Sequence, residues 1–386
     1  MGVGGFSGKR LGRVRGLLER EVERGFVPGL VAVLRRHGET YVEAVGRLAF
    51  DGPGAAVPMG IDSVVRLGSM SKPIVAACVM SLVEDCTLRL DDPVDDLLPE
   101  LANPRVLADP SGPVDDTVPA ERPITVRDLL TFTLGTGMVP DTVPIADALD
   151  ALPEGSLDEW VRGLGNLPLV HQPGERWMYD TGSDVTGALI QRATGLTLGE
   201  ALRERILEPL GMKDTGFSVR PDSLDRLAAA YERDSAPTGE AVLEGGRDWA
   251  KPPAFESGGG GLVSTAEDYL RFACALLDGG GPLSRPSVTL MTSDQLTEAQ
   301  RATSGFWPGY FATTSWGFGM GIVTDRTRLG PSAGSYGWTG FYGTAWYNDP
   351  AEDLTALLIL QRAHAGDPSL PLPRDFWTTV YQAIDD

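Results

Sequence analysis

The stretch Val65-Arg66-Leu67-Gly68-Ser69-Met70-Ser71-Lys72-Pro73 decides the fold, because it opens the most apolar helical segment of the chain. Apolar side chains cover every side of the helix predicted over residues 73–84, so we expect this helix to be buried. Ser69 stands at its N-terminus, where free backbone N–H groups and the helix dipole favour developing negative charge. Lys72 follows three residues later and is expected on the same face as Ser69.

This spacing is typical of an activated serine nucleophile. Burial of Lys72 is expected to lower its pKa toward the range where the amine can accept a proton from Ser69. Only four of the 33 basic residues are lysines, and the others are arginines. A lysine at position 72, where the side chain must be able to give up a proton, therefore supports this interpretation. The alternative is that the Ser-x-x-Lys spacing arises by chance and that the serine only caps a helix.

The composition is that of a soluble globular protein with one large domain or two interleaved ones: 386 residues, 42% apolar and 22% charged. A net charge of −20 argues against nucleic acid or an anionic membrane as partner. No apolar run reaches the ~18 residues needed to span a membrane. Residues 1–15 lack the apolar core of a signal peptide, which predicts a cytoplasmic protein, with a signal peptide already removed left open.

Cysteine and histidine are too sparse for a metal or redox centre. The three cysteines are odd in number and lack metal-binding spacing, so we expect reduced thiols. The three histidines are scattered. We therefore predict neither a metal site nor a cofactor.

Two further segments carry candidate site residues. The first runs from Pro173 to Thr181 and places Tyr179 on a loop before a helix, where its phenol could relay a proton for Ser69 and Lys72. The alternative is that Tyr179 has no catalytic role and only packs at a corner of the loop. The second contains Trp338-Thr339-Gly340, on a strand predicted over residues 337–347 that forms a hairpin with residues 354–361.

These three segments, together with Leu90-Asp91-Asp92-Pro93-Val94 and Leu98-Pro99-Glu100, resemble the serine β-lactamase and penicillin-binding-protein superfamily. Over about residues 11–383 the chain is similar to the family VIII carboxylesterases, serine esterases on the class C β-lactamase scaffold. The resemblance implies an α+β fold with an antiparallel sheet flanked by helices. Both chain ends, residues 1–75 and 251–386, would build the sheet domain, and residues 76–250 an inserted, mostly helical domain.

The resemblance also implies roles for individual residues. Ser69, Lys72 and Tyr179 would be catalytic, and the oxyanion hole would use the backbone N–H groups of Ser69 and Phe341, the latter on the third-motif strand. The substrate-binding residues would be Trp338, Thr339, Gly340, Thr181 and Phe132. Trp338 replaces the usual cation of the third motif, and Thr181 replaces the usual asparagine of the second. The chain therefore lacks the cation that would bind a substrate carboxylate and the amide side chain that would recognise a β-lactam or a peptide.

The function implied is a serine hydrolase that cleaves small, neutral carboxylic esters through an acyl-enzyme on Ser69. A β-lactamase or D-amino-acid peptidase and an acyltransferase are the alternatives, and a non-catalytic binding protein on the same scaffold is disfavoured by the retained catalytic residue types. The expected partner is a small ester, and a homo-oligomer is left open. Short acyl chains are favoured if Trp338, Phe341 and Phe132 narrow the mouth.

Two other motifs point elsewhere. Gly330-Pro331-Ser332-Ala333-Gly334 matches the nucleophile elbow of α/β-hydrolases, but the preceding residues are polar and a strand, not a helix, is predicted to follow. Ser257-Gly258-Gly259-Gly260-Gly261 lacks the Gly-Lys-Ser/Thr of a phosphate-binding loop. We predict that Ser332 is not the nucleophile and that the glycine run is a turn back into the sheet domain.

Overall fold

The computed structural model describes residues 3–153, 155–231, 247–364 and 370–386, and its centre is a seven-stranded antiparallel sheet. In spatial order the strands are β2 (Glu39–Gly46), β1 (Gly29–Arg36), β11 (Leu354–Ile359), β10 (Ala345–Asp349), β9 (Tyr336–Thr339), β8 (Gly321–Val323) and β7 (Thr314–Trp316). Because β1 pairs with β11, with Val31 opposite Ile359, the two ends of the chain close one sheet.

The central strands read as nearly continuous apolar runs because helices cover both faces of the sheet. Leu30, Ala32 and Leu34 of β1 join an apolar cluster on one face, and Val31 and Val33 join the main core on the other. This alternation is the two-residue period of a strand. The first face is covered by the two terminal helices, α1 (Gly8–Glu23) and α12 (Pro371–Tyr381).

The helix α2 (Ser71–Glu84) lies in the main core, as the sequence predicted. Its buried residues run without a break from Ser71 to Met80 and include Leu82. A short 3₁₀ turn, Gly68–Met70, leads into it. The helix α9 (Ala266–Asp278) is capped by Thr265, whose hydroxyl accepts a hydrogen bond from the Asp268 N–H.

The middle of the chain is mostly helical. Its helices are α3 (Val126–Thr131), α4 (Ala146–Asp150), α5 (Leu157–Leu164), α6 (Thr181–Thr194), α7 (Leu198–Leu202) and α8 (Glu208–Leu210). Two further helices, α10 (Arg285–Met291) and α11 (Glu298–Thr303), precede the last strands. The short strands β3 (Val65–Arg66) and β6 (Val263–Ser264) form one ladder, and β4 (Arg105–Leu107) and β5 (Thr117–Pro119) another.

The predicted α+β, β-lactamase-like fold class is confirmed. The strand predicted over residues 337–347 is wrong in detail: it is split into β9 and β10 by a turn at residues 340–344, where Gly343 N–H bonds to the Gly340 carbonyl. Phe341 therefore lies in a turn and not on the strand. The division into domains 1–75 with 251–386 and 76–250 stays a prediction, and residues 154 and 232–246 of the second lie outside the described residues.

Candidate active site

Ser69 and Lys72 lie side by side at the entry to α2. The Nζ of Lys72 lies 3.0 Å from the Oγ of Ser69, 2.6 Å from the carbonyl oxygen of Gly259 and 2.6 Å from the Oδ1 of Asp180. An ammonium group has three N–H donors, and three acceptors surround this one. The side chain of Lys72 is fully buried, so it holds Ser69 in a fixed position.

The lysine carries its charge in this arrangement. Burial acts to lower the pKa of Lys72, but the carboxylate of Asp180 and the neighbouring Tyr179 and Asp184 outweigh it, so the pKa is raised above its ordinary value. The expectation of a lowered lysine pKa was wrong, because burial was considered without the carboxylate that accompanies it.

Asp180 and Asp184 are site residues that the sequence analysis missed. Asp180 directly precedes α6 and has a φ of 86°, in the left-handed region that side chains other than those of asparagine, aspartate and histidine seldom adopt. Asp184 lies one turn further on and accepts hydrogen bonds through its Oδ1 from the Ser257 hydroxyl, at 2.8 Å, and the Gly259 N–H, at 3.0 Å. Burial and the nearby Asp180 raise the pKa of Asp184 to about 6.

The glycine run is a turn, as predicted, and it also forms a wall of the site. Asp184 holds the Gly259 N–H, and the Gly259 carbonyl in turn accepts from Lys72. A side chain at position 258 would place its Cβ 2.5 Å from the Ser183 carbonyl oxygen. Glycine is thus needed at this position, because the turn runs against α6.

Tyr179 lies on the other side of Lys72. Its ring centroid is 4.7 Å from the lysine Nζ, and its phenol oxygen accepts a hydrogen bond from the indole N–H of Trp338 at 2.7 Å. The loop that carries it is fixed from both sides: Met178 N–H bonds to the Phe132 carbonyl, and Met138 N–H bonds to the Tyr179 carbonyl. The phenol is thereby held close to the lysine.

An aromatic cluster surrounds Tyr179, and it consists of Phe132, Trp177, Phe306, Tyr310, Phe311, Trp316 and Trp338. Trp338 on β9 is only 7% exposed and meets Trp316 edge to face, with ring centroids 4.5 Å apart. Phe132 is 1% exposed. The expectation that Phe132 narrows the mouth of the cleft was therefore wrong, because this residue is packed beneath Tyr179.

The remaining residues of the predicted site are placed as follows. Thr181 is the first residue of α6 and is half-buried, and Thr339, also half-buried, ends β9. Gly340 is buried, and a Cβ there would lie 2.0 Å from the Leu67 carbonyl oxygen. The turn after β9 therefore packs directly against the segment that leads to Ser69.

The backbone amide of Phe341 lies beside the residue that precedes the nucleophile. A Cβ at Gly68 would be 2.7 Å from the Phe341 nitrogen, and Gly68 has a φ of 57°. Glycine is required here by both the close approach and the positive φ. The Phe341 nitrogen thus lies next to the residue that precedes Ser69, and the use of the two amides as an oxyanion hole stays a prediction.

Ser332 belongs to a different part of the molecule. It lies between β8 and β9, with its N–H bonded to the Oδ2 of Asp349 at 2.9 Å. The next described element is β9, so the strand–turn–helix of an esterase elbow is not formed there. Its hydroxyl faces Arg326, at 3.4 Å, in place of a histidine or lysine base.

A half-buried Ser69 beside a fully buried Lys72, next to a sheet that both chain ends build, is the arrangement of a serine enzyme of the β-lactamase and transpeptidase fold. Residues 14–374 match the family model described as Beta-lactamase, and the chain belongs to that family. The family comprises serine hydrolases and acyltransferases that share this scaffold. The resemblance to the serine esterases of family VIII, predicted from sequence, is confirmed.

Three proteins illustrate the relationship. Protein Rv1367c of Mycobacterium tuberculosis is 39% identical over 375 residues, covering 91% of this chain and 92% of that protein. Esterase EstB of Burkholderia gladioli is 34% identical over 382 residues, covering 92% and 91%. The solved structure of EstCE1, described as a hydrolase with promiscuous acyltransferase activity, superposes with a TM-score of 0.80 at 26% identity and 98% coverage of both chains.

Across the described residues, no helix is long and apolar enough to cross a membrane.

Proposed function

We propose that this chain hydrolyses small, neutral carboxylic esters through an acyl-enzyme on Ser69. The observation that carries the proposal is the 3.0 Å contact between the Ser69 hydroxyl and a fully buried lysine, flanked by Tyr179. A serine held against a positive charge at a helix N-terminus has the features of an activated nucleophile. Similarity to EstB supports ester substrates, since that relative is named an esterase.

In the proposed acylation step the Ser69 Oγ forms a bond to the ester carbonyl carbon. In this scheme Tyr179 reacts as a phenolate: its oxygen takes the Ser69 proton and becomes a neutral phenol, while the Lys72 ammonium stabilises the charge developing on Oγ. The carbonyl oxygen becomes an oxyanion that the N–H groups of Ser69 and Phe341 hold. Because the lysine is charged, Tyr179 and not Lys72 is the proton acceptor in this scheme.

The tetrahedral intermediate then collapses. The bond between the carbonyl carbon and the alcohol oxygen breaks, and the alcohol takes the proton from Tyr179 as it leaves. A water molecule attacks the acyl-enzyme in the same manner, which releases the acid and restores Ser69. The Trp338 N–H, 2.7 Å from the Tyr179 oxygen, stabilises this oxygen whenever it carries negative charge.

Charge favours a neutral substrate. The third-motif position, where relatives that bind carboxylates carry a cation, holds Trp338, and its only polar atom is used by Tyr179. The ammonium of Lys72 already contacts Asp180, and Asp184 lies close by. An anionic substrate would therefore meet two carboxylates, which disfavours β-lactams and D-peptides with a free carboxylate.

Acyl transfer to an alcohol is the second candidate, supported by the similarity to EstCE1 and its described acyltransferase activity. The same acyl-enzyme would be resolved by an alcohol in place of water. The test is the ratio of new ester to free acid when a butyrate ester is hydrolysed in increasing ethanol. A ratio no higher than that of the uncatalysed reaction would rule out transfer to that alcohol.

The decisive comparison is between p-nitrophenyl butyrate and a chromogenic cephalosporin with the wild-type protein. We expect kcat/KM for the ester to exceed that for the cephalosporin by orders of magnitude. If the cephalosporin reacts as fast as the ester, the esterase proposal fails and a β-lactamase is the better assignment.

A further inference from the structure

A short aromatic segment, Gly305-Phe306-Trp307-Pro308-Gly309, lies against the catalytic tyrosine and takes no part in the chemistry described above. We name these five residues the aromatic flap. Phe306 is 43% exposed and Trp307 50%, which is unusual for large aromatic side chains. Glycines with positive φ bound it on both sides, 118° at Gly305 and 82° at Gly309.

The flap is held in place relative to Tyr179. The Ser304 hydroxyl accepts a hydrogen bond from the backbone N–H of Trp177 at 3.0 Å. The side-chain amide of Gln300 donates to the Gly174 carbonyl at 2.7 Å. Both contacts join the base of the flap to the loop that carries the tyrosine. The Phe306 ring then meets the Tyr179 ring edge to face, with centroids 5.0 Å apart.

Phe306 and Trp307 form one exposed apolar surface beside Tyr179. Their ring centroids are 6.2 Å apart, and Trp307 extends the surface of Phe306 away from the tyrosine. A further exposed apolar residue, Met138, donates its backbone N–H to the Tyr179 carbonyl at 2.8 Å. Exposed apolar surface of this kind is typical of a binding site.

The chemistry identifies which half of the ester this surface would contact. In the proposed mechanism, on which this inference rests, the departing alcohol takes its proton from Tyr179. Its oxygen must then come within hydrogen-bond reach of that phenol. The group attached to the alcohol oxygen consequently extends toward Phe306 and Trp307, whereas the carbonyl oxygen points to the amides of Ser69 and Phe341.

We propose that the aromatic flap is the alcohol-binding subsite and that it selects esters of apolar, ring-containing alcohols. A flat ring in the alcohol can pack edge to face or in an offset stack on Phe306 and Trp307. A small alcohol such as methanol reaches neither residue. Selectivity would therefore depend on the alcohol, with little influence of the flap on the acyl chain.

The experiment compares benzyl butyrate with methyl butyrate, whose acyl groups are the same and whose alcohols are of similar acidity. The wild-type protein should give the higher kcat/KM with the benzyl ester. Phe306→Ala and Trp307→Ala should each lower the benzyl-to-methyl ratio about threefold to tenfold, the range expected from loss of one aromatic contact. The benzyl-to-methyl ratio is the readout, because Phe306→Ala also removes a ring contact to Tyr179 and should lower kcat/KM for both esters.

Val42→Ala is the matched control, since Val42 is also an exposed apolar residue but lies on the edge strand β2, four strands from β9. It should leave the ratio unchanged. A ratio that stays at the wild-type value in both flap variants would overturn the subsite assignment while leaving the esterase proposal intact. Absence of hydrolysis of either ester by the wild type would instead contradict the proposed function itself.

Discussion

The two residues on either side of Ser69, Lys72 and Tyr179, are held in place by different kinds of interaction. On one side Lys72 is fixed by charge and hydrogen bonds, through Asp180, the Gly259 carbonyl and, one step further, Asp184. On the other side the Tyr179 ring is fixed by packing in a cluster of aromatic rings, and its oxygen accepts a hydrogen bond from Trp338. Charged hydrogen-bonded contacts are lost completely when one partner is removed, whereas packing can adjust partly. We therefore expect substitutions on the polar side to be the more damaging.

The largest effect on activity is expected at Ser69, the proposed nucleophile. Ser69→Ala should abolish ester hydrolysis, because no acyl-enzyme can form. Ser332→Ala should keep near wild-type activity, since its hydroxyl lies on a loop between β8 and β9. A serine-reactive phosphonate, followed by mass spectrometry of peptides, should label Ser69. Label on Ser332 would contradict both the mechanism and the role given to the Ser-x-x-Lys pair.

The next largest effect tests the polar side. Lys72→Arg keeps the charge, but the planar guanidinium cannot place one nitrogen among three acceptors in a fully buried site. We expect kcat to fall by at least ~10²-fold, the low end for loss of one group that stabilises developing negative charge. Lys251→Arg, at an exposed lysine, is the control and should be neutral. Near-normal turnover in Lys72→Arg would show that charge alone suffices there.

A pH profile separates the role of Asp184 from that of Lys72. The pKa of Asp184 is raised to about 6, so the carboxylate gains a proton as pH falls through 6 and binds the Gly259 turn less strongly. We expect kcat/KM to decline below about pH 6. Asp184→Asn imitates the neutral form at every pH, so its activity should be low throughout and lack that step.

Asp222→Asn, at a fully exposed carboxylate, should retain the wild-type profile. If the decline in kcat/KM at low pH persists unchanged in Asp184→Asn, a group other than Asp184 causes that decline.

The raised pKa of Asp184 also affects the stability of the fold. Because the folded chain holds this proton more tightly than the unfolded chain, the free energy of unfolding should decrease as pH rises from 3.8 to about 6.

The smallest effect is expected on the aromatic side. Trp338→Phe keeps an aromatic ring but removes the N–H that donates to Tyr179. Loss of one such hydrogen bond corresponds to a fall in kcat of about threefold to tenfold. Trp377→Phe is the control, because Trp377 is equally buried but lies on α12, in the apolar cluster on the other face of the sheet. It should leave kcat unchanged. If Trp338→Phe proves more damaging than Lys72→Arg, the ranking of the two sides is reversed.

The sequence predicted the parts of the site that short-range spacing determines. Ser69 and Lys72 are neighbours because three residues nearly complete one helical turn, and the burial of α2 follows from its apolar surface on every side. The catalytic roles of Ser69, Lys72 and Tyr179 stay proposals that the variants above would test.

What the sequence did not reveal depends on contacts between distant segments. The charge on Lys72 is set by Asp180, and the position of Gly259 is set by Asp184, yet neither pair is close along the chain. One signal was available: Asp180 and Asp184 lie four residues apart at the start of α6, next to the tyrosine motif. Phe132 was misplaced because its burial depends on rings contributed by residues 306–338.

The closure of the sheet by both chain ends has a consequence for biosynthesis. Gly68 meets Phe341 only when β9 and β10 are in place, and these join β1 through β11. At ~5–20 residues per second, Ser69 leaves the ribosome on the order of tens of seconds before its partners are synthesised. Under the proposed mechanism, Ser69 should therefore become reactive only after residue 341 has left the ribosome. The slow, long-range strand pairing also exposes β1 to other strands during that interval, so expression yield should depend on translation rate and chaperone supply.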